Sequence, residues 1–260
     1  MIHKTAIVNP GAIISNNVKI GPYSIIGPNV HIGENTVIHS HVNISGNTII
    51  GNENKIYPFA SIGNDPQDLK HNGEETKLLI GNNNIIREYV TISTGTIGGG
   101  AETIIGNNCL LMISSHIAHD CVVGNDVIIA NNVAIAGHAE IGDHVIIGGN
   151  SAVQQFTRIG KMAMIGGMTG VLNDVIPYGL SIGNRNFLQG LNLIGMRRKD
   201  IPNKEILSLS EAYKVIFKTE KLTDNLNKIN ETYKDNPLIN EVIVFINKDK
   251  KRPICTPFSN

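Results

Sequence analysis

The chain has 260 residues, with 22 Lys+Arg balanced by 22 Asp+Glu, which excludes a protein whose main work is gripping nucleic acid across a basic face. Its three cysteines have no metal-ligand spacing and leave an odd thiol if two pair, so a reduced, cytoplasmic setting is expected. No stretch approaches the roughly 18–20 apolar residues that span a bilayer, and the N-terminus lacks the pattern of a signal peptide.

From the first residues an aliphatic side chain returns at every sixth position, from Ile2, Val8, Ile14 and Ile20 on to Ile56 and Ile62. A small or β-branched residue commonly follows four places later, as at Ala6, Ala12, Val18 and Ser24. A period of six is neither the 3.6 of a helix nor the alternation of an isolated strand. It is the beat of a hexapeptide solenoid, in which short strands join through tight corners into a parallel β-helix. Three hexads per triangular coil stack residues eighteen apart at about 4.8 Å, and roughly ten coils give a prism about 45 Å tall. The 27 glycines, with no tryptophan and few aromatics, suit such a narrow interior and its corners.

The beat breaks twice, at residues 63–79 ("GNDPQDLKHNGEETKLL") and 95–104 ("GTIGGGAET" and the residue after it), which read as loops thrown out of the prism. Loops on a rigid scaffold commonly carry binding residues. Between and after them the register resumes, and from Ile105 through Leu111, Ile117 and Val123 to Val171 it does not miss. Beyond Val171 it stops. "FLQGLNLIGMRRKDIP" has helical apolar spacing in Leu188, Leu191 and Ile194, and "SLSEAYKVIFKTEKL" and "NPLINEVIVFINK" read as amphipathic helices. The expected organisation is a β-helix over 1–177 and a small α-helical domain over 178–260 that caps the last coil.

Counting by eighteen puts Gly137 above His119 and Gln155 above Gly137, with His116, His138 and Gln154 beside them and both loops leaving the same wall. Imidazoles there admit two chemistries. A catalytic zinc needs three ligands and an open position, whereas a general base needs one histidine. His3, His31, His39, His41, His71 and His144 fall outside this cluster and read as surface residues. Cys109 and Cys121 fall at the small inward position and read as core fillers.

The ordered motifs "ASIGNDPQDLK", "HIAHDC", "ANN…AGH", "IIGG" and "GLNLIGMRR" resemble the UDP-N-acetylglucosamine O-acyltransferase family over essentially the whole chain. The resemblance implies a left-handed winding, against the usual crossover rule, and a homotrimer with active sites between adjacent prisms. It also implies transfer of an (R)-3-hydroxyacyl group from acyl carrier protein to the 3-hydroxyl of UDP-N-acetylglucosamine, the first step of lipid A synthesis, without metal or cofactor. By match to "HIAHDC", His119 would be the base and Asp120 would orient or charge it. Gly137 would offer its N–H to the thioester oxyanion. Gln67, Asp68 and Lys70 would face the cleft, and His116, His138 and Gln155 would line the sugar and diphosphate path. Asn192, Arg198 and Lys199 would reach the nucleotide, and Gly167 would leave the acyl groove open. The chain departs from the family pattern at Gln154, where a histidine is common, and at Lys199, where an arginine is common.

Three other readings remain at this stage. They are a related transferase acting on an amine, a zinc-dependent hydratase like the γ-type carbonic anhydrases, and a structural or ice-binding solenoid. The last favours flat faces with repeated threonine, and this face is broken by loops.

Overall fold

The computed structural model describes residues 1–218, 222–233, 236–248 and 251–258. The sixth-position aliphatics point inward and stack: Ile26, Ile44, Ile56, Ile62, Ile86 and Leu111 are fully buried. The residue before each points out, as strand alternation requires. Burying one such side chain stabilises the fold by about 1.5–3 kcal/mol. Because each strand is only two to five residues long before a corner intervenes, the chain winds instead of folding back. The result is three sheets of nine, eight and ten strands, parallel except for the last strand of the third, the walls of a left-handed parallel β-helix.

The first wall runs from Ile7–Val8 to Gly170–Val171, the second from Ile13–Ile14 to Arg158–Ile159, and the third begins at Lys19–Ile20. Register holds at eighteen, as in His116 beside Ala134 and Ala134 beside Ala152. It changes across the two loops and again in the last coil, where Met164 pairs with Leu180, sixteen residues on. Asn47 pairs with Lys77 and Lys77 with Glu102, so the two loops add 12 and 7 residues to eighteen-residue coils. Strands reach further into the loops than the spacing suggests: Ser61–Asn64 and Lys77–Ile80 bound the first, and Glu102–Ile105 closes the second.

The coils are also tied by side chains. At the corner between the second and third walls, the N–H groups of Asn52, Asn82, Asn107 and Asn125 each donate to the side-chain oxygen one coil on, at 2.7–2.9 Å. Inside the prism, fully buried Asn54 and Asn84 extend a second polar column, with Asn84 N–H donating to Asn54 Oδ1 at 2.9 Å.

The tail departs from the helical expectation at its start. Phe187–Leu191 is a strand, antiparallel to Gly179–Ile182, which itself continues the third wall. The end of a sheet presents unpaired backbone groups, and this hairpin satisfies them with Leu188 buried behind it. Helices follow: α1 (Leu193–Arg198), α2 (Asn203–Ile216), α3 (Leu222–Tyr233) and α4 (Pro237–Asn247). The expected helix "SLSEAYKVIFKTEKL" runs to Ile216, and residues 219–221 lie outside the described residues. Glu241 of α4 joins tail to prism by accepting from Tyr178 Oη and pairing with Lys161 Nζ.

Candidate active site

Three successive coils turn the same corner between the first and second walls through His119–Asp120, Gly137–His138 and Gln155–Phe156. Asp120, His138 and Phe156 adopt φ of 57°, 61° and 64°, a left-handed conformation uncommon outside glycine. In a strand, neighbouring side chains diverge to opposite faces. Here the turn sends His119 and Asp120 to one side, and His119 Nδ1 lies 2.7 Å from Asp120 Oδ2. An ionised carboxylate only accepts, so Nδ1 carries the hydrogen and the Nε2 lone pair is free. Both residues are 6 % exposed.

Gly137 stands where any side chain would strike this imidazole, and its N–H finds no acceptor among the described residues. His138 faces the same way as His119, edge-on to it at 5.0 Å, and stacks on Phe156 at 4.4 Å. Burial pulls His138 below the usual histidine range, with the Asp120 carboxylate opposing. His116, one strand earlier, holds Thr91 Oγ1 at 2.7 Å through Nδ1; burial, and then His119, pulls it down as well. Both therefore favour the neutral form.

A cleft of about 740 Å³ opens at this corner. Asp68 and Lys70 line it from the first loop and Thr96 and Gly99 from the second, around Asp120 and His138; Lys248 and Lys251 form the far rim. His71, expected outside the cluster, lines the cleft as well, folded inward with Nδ1 3.0 Å from Glu74. His119 and Gly137, the chain neighbours of Asp120 and His138, do not themselves line this single-chain cleft, and neither do Gln67, His116, Gln155, Gly167, Asn192, Arg198 and Lys199. The side chain of Asn192 caps α1 by accepting from Gly195 N–H and donates to Met162 O. Arg198 and Lys199 are exposed at the end of that helix, and Gly167 is exposed above Gly149.

The sequence reading missed Phe156, Thr96 and Thr91. Phe156 is eighteen places after His138 and could have been counted. Thr91 lies across the seven-residue insertion from its partner and Thr96 lies within that insertion, where the count fails.

His119, Asp120 and His138 could each offer a metal ligand, their atoms lying within 4.8 Å of one another. Two ligands on one tetrahedral zinc sit about 3.3 Å apart given bonds near 2.0 Å. The His119 Nδ1–Asp120 Oδ2 separation is instead a hydrogen bond, and His116 Nδ1 is engaged with Thr91. The donor set does not fit a zinc hydratase. A covalent thiol route fits no better. Burial pushes the Cys109 and Cys255 thiols up to about 11 and Cys121 to about 12, and all three are buried.

A hexapeptide solenoid carrying an oriented histidine beside a backbone N–H with no acceptor among the described residues has the make-up of an acyltransferase. A family model for the bacterial transferase hexapeptide matches residues 11–46 and 102–137, and one for UDP-N-acetylglucosamine O-acyltransferase, domain 2, matches residues 174–255. The acyl-carrier-protein-dependent UDP-N-acetylglucosamine O-acyltransferase of Rickettsia canadensis is 51% identical, covering 98% of this chain and 97% of its own. The crystal structure of UDP-N-acetylglucosamine O-acyltransferase from Moraxella catarrhalis superposes with a TM-score of 0.95 at 48% identity, covering 97% and 98% of the two chains. The Francisella novicida UDP-N-acetylglucosamine acyltransferase does so at 0.95 and 37% identity, covering 98% and 94%. This chain belongs to the UDP-N-acetylglucosamine O-acyltransferase family.

Proposed function

We propose that this enzyme moves an (R)-3-hydroxyacyl chain from acyl carrier protein to the glucosamine 3-hydroxyl of UDP-N-acetylglucosamine, opening lipid A biosynthesis. The observation that carries the reading is the His119–Asp120 pair facing Gly137 in a chain so similar to named transferases. His119 Nε2 takes the proton of the sugar hydroxyl as its oxygen attacks the thioester carbon. The carbonyl oxygen gains the negative charge and accepts from the Gly137 N–H. Collapse expels the carrier thiolate, which takes the proton back from His119, and the ester remains on the sugar.

Three copies would complete the site, with the cleft of one prism facing its neighbour. Lys70 suits a phosphate and Asp68 a sugar or acyl hydroxyl. Gln67, His116, Gln155, Asn192, Arg198 and Lys199 would act from the walls that the single-chain cleft lacks, with Arg198 able to grip a phosphate in two places. Gly167 above Gly149 would leave a smooth path for the acyl chain. Three buried free thiols fit a reducing compartment, and no described helix is long and apolar enough to cross a membrane. Purified protein given UDP-N-acetylglucosamine and a mixed pool of hydroxyacyl carrier proteins should release an O-acylated sugar nucleotide. Mass spectrometry of that product identifies the acyl length and tells an ester from an amide. Absence of any acylated product sinks the reading.

A further inference from the structure

The second insertion has no role in the mechanism above, yet it touches the site at its most sensitive group. Thr96 N–H lies 2.8 Å from Asp120 Oδ1, and the Thr96 hydroxyl lies 2.6 Å from Oδ2, the oxygen that also receives His119 Nδ1. Thr96 is itself anchored, its carbonyl accepting from Gly99 N–H at 3.0 Å and Ala101 N–H at 2.8 Å as the chain makes the short turn Ile97–Gly99. Gly99 closes over the carboxylate. A Cβ there would lie 2.1–2.4 Å from the Asp120 carboxylate atoms. The Asp120 N–H, finally, donates to Thr103 Oγ1 at 2.8 Å, on the far side of the same insertion.

We propose that Thr96 is a positioning residue for the acyl transfer: its two hydrogen bonds fix the plane of the Asp120 carboxylate, and through it the tautomer and orientation of His119. This rests on the reading of His119 as the base. A buried carboxylate held by one imidazole can rotate about its side-chain bond, and a competing donor stands ready, with His138 Nδ1 at 3.8 Å from the same Oδ2. Thr96 occupies Oδ1 and one lone pair of Oδ2, which leaves the other lone pair aimed at His119. The charged or titratable groups around the pair are His116, His138, Glu140 and Arg158 on the walls, Asp68, Lys70, His71 and Glu74 from the first loop, and Lys248 and Lys251 from the tail. None of them reaches Oδ1. The seven-residue insertion is therefore what delivers the clamp.

The test compares Thr96→Val, Thr96→Ser and Gly99→Ala with the wild-type full chain, using UDP-N-acetylglucosamine and a hydroxyacyl carrier protein. It reads kcat and KM separately, together with ¹⁵N-histidine NMR of the free enzyme. Thr96→Val should lower kcat roughly 10- to 100-fold with KM for the sugar nucleotide changed by less than about threefold, the loss expected of a misoriented catalytic group. Thr96→Ser, which keeps both donors, should recover most of the rate, and of the two Thr96 variants only Val should lose the single Nδ1–H tautomer of His119. Wild-type kcat in Thr96→Val overturns the proposal. So does a loss that Ser fails to rescue, or one that comes with an unchanged tautomer. Should Thr96→Val not fold, Gly99→Ala carries the test by pressing on the carboxylate from the other side, and a normal kcat there refutes the clamp. The tautomer is read without turnover, so a fully active His119→Ala would refute the base and leave the clamp to be judged by NMR.

Discussion

Gly137 stands one coil above His119, and a Cβ on it would lie 2.6 Å from the imidazole Cε1 and 2.7 Å from Nε2. Real Cβ atoms do not approach so closely, so the smallest possible side chain would push the ring off its Asp120 partner. The nearest atoms belong to a side chain and not to backbone, so the coil itself need not move. Gly137→Ala should therefore lower kcat about 100-fold, the effect of a shift near 1 Å at a reacting group, with a far-UV spectrum and thermal midpoint close to wild type. Normal turnover in that variant would show that the ring has room to spare.

Removing the imidazole tests the base directly. His119→Ala should lose about 10²- to 10⁴-fold in kcat, the usual worth of a positioned general base, while still eluting as the same oligomer. Asp120→Asn should act in the same direction. Its amide can present a donor to Nδ1, which would turn the ring to the tautomer that has no lone pair at Nε2. Steady-state kinetics of the two variants side by side decide the matter, and wild-type activity in both would remove the pair from the mechanism.

Stability should fall as the solution is acidified through the histidine range. His116 and His138 sit below the ordinary histidine value because burial disfavours the imidazolium. Just under that ordinary value the unfolded chain binds protons that the folded chain refuses, so unfolding becomes easier as pH drops. The thermal midpoint should decline from pH 7 to pH 5, and a His116→Gln, His138→Gln double variant should show a shallower decline. Parallel slopes would mean that neither histidine is coupled to folding.

Thiol chemistry gives a contrasting expectation. Cys121 is fully buried and pushed up to about 12, and Cys109 to about 11. A thiol so far above neutral pH has almost no thiolate to react. Iodoacetamide at pH 7.5 should leave the folded enzyme active and all three cysteines unmodified by mass spectrometry. Rapid inactivation with labelling at Cys121 would reopen a covalent route.

The column of His119, Gly137 and Gln155 was legible in the sequence because a strict period converts spacing into position. Where the period is interrupted the conversion fails. Thr91 lies twenty-five residues before His116 and yet pairs with it, since seven of those residues belong to the second insertion. Thr96 was hidden for the same reason, and its loop offered no sign that it folds back onto Asp120. Phe187–Leu191 misled differently. Leu188 and Leu191 have helical spacing, but an open sheet edge beside them outweighs that local preference. His71 was placed outside the cluster although it lines the cleft, because a twelve-residue excursion carries no periodic address.

The buried asparagines show a regularity that the hexad pattern conceals. Some small polar residues at the inward position accept a backbone N–H one coil on and donate to a carbonyl three residues short of that, although the Thr157 and Thr169 hydroxyls find no partner among the described residues. Thr36 does so with Asn54 N–H and Gly51 O, and Ser151 with Thr169 N–H and Gly166 O. Asn84 makes the same two bonds across the second insertion, to Cys109 N–H at 2.8 Å and Gly106 O at 3.0 Å. Asn84→Val should strand the buried Cys109 N–H and the half-buried Gly106 carbonyl and destabilise the fold by about 2–6 kcal/mol, since each unmet group costs about 1–3 kcal/mol. Asn84→Thr keeps a hydroxyl able to imitate Thr36, and it should recover most of that loss. Melting temperatures must be compared at one protein concentration if the enzyme is oligomeric. Val and Thr have nearly the same shape, so the difference between them isolates the hydrogen bonds from packing. If Asn84→Thr melts no higher than Asn84→Val, these coil-to-coil bonds add little to the stability of the prism.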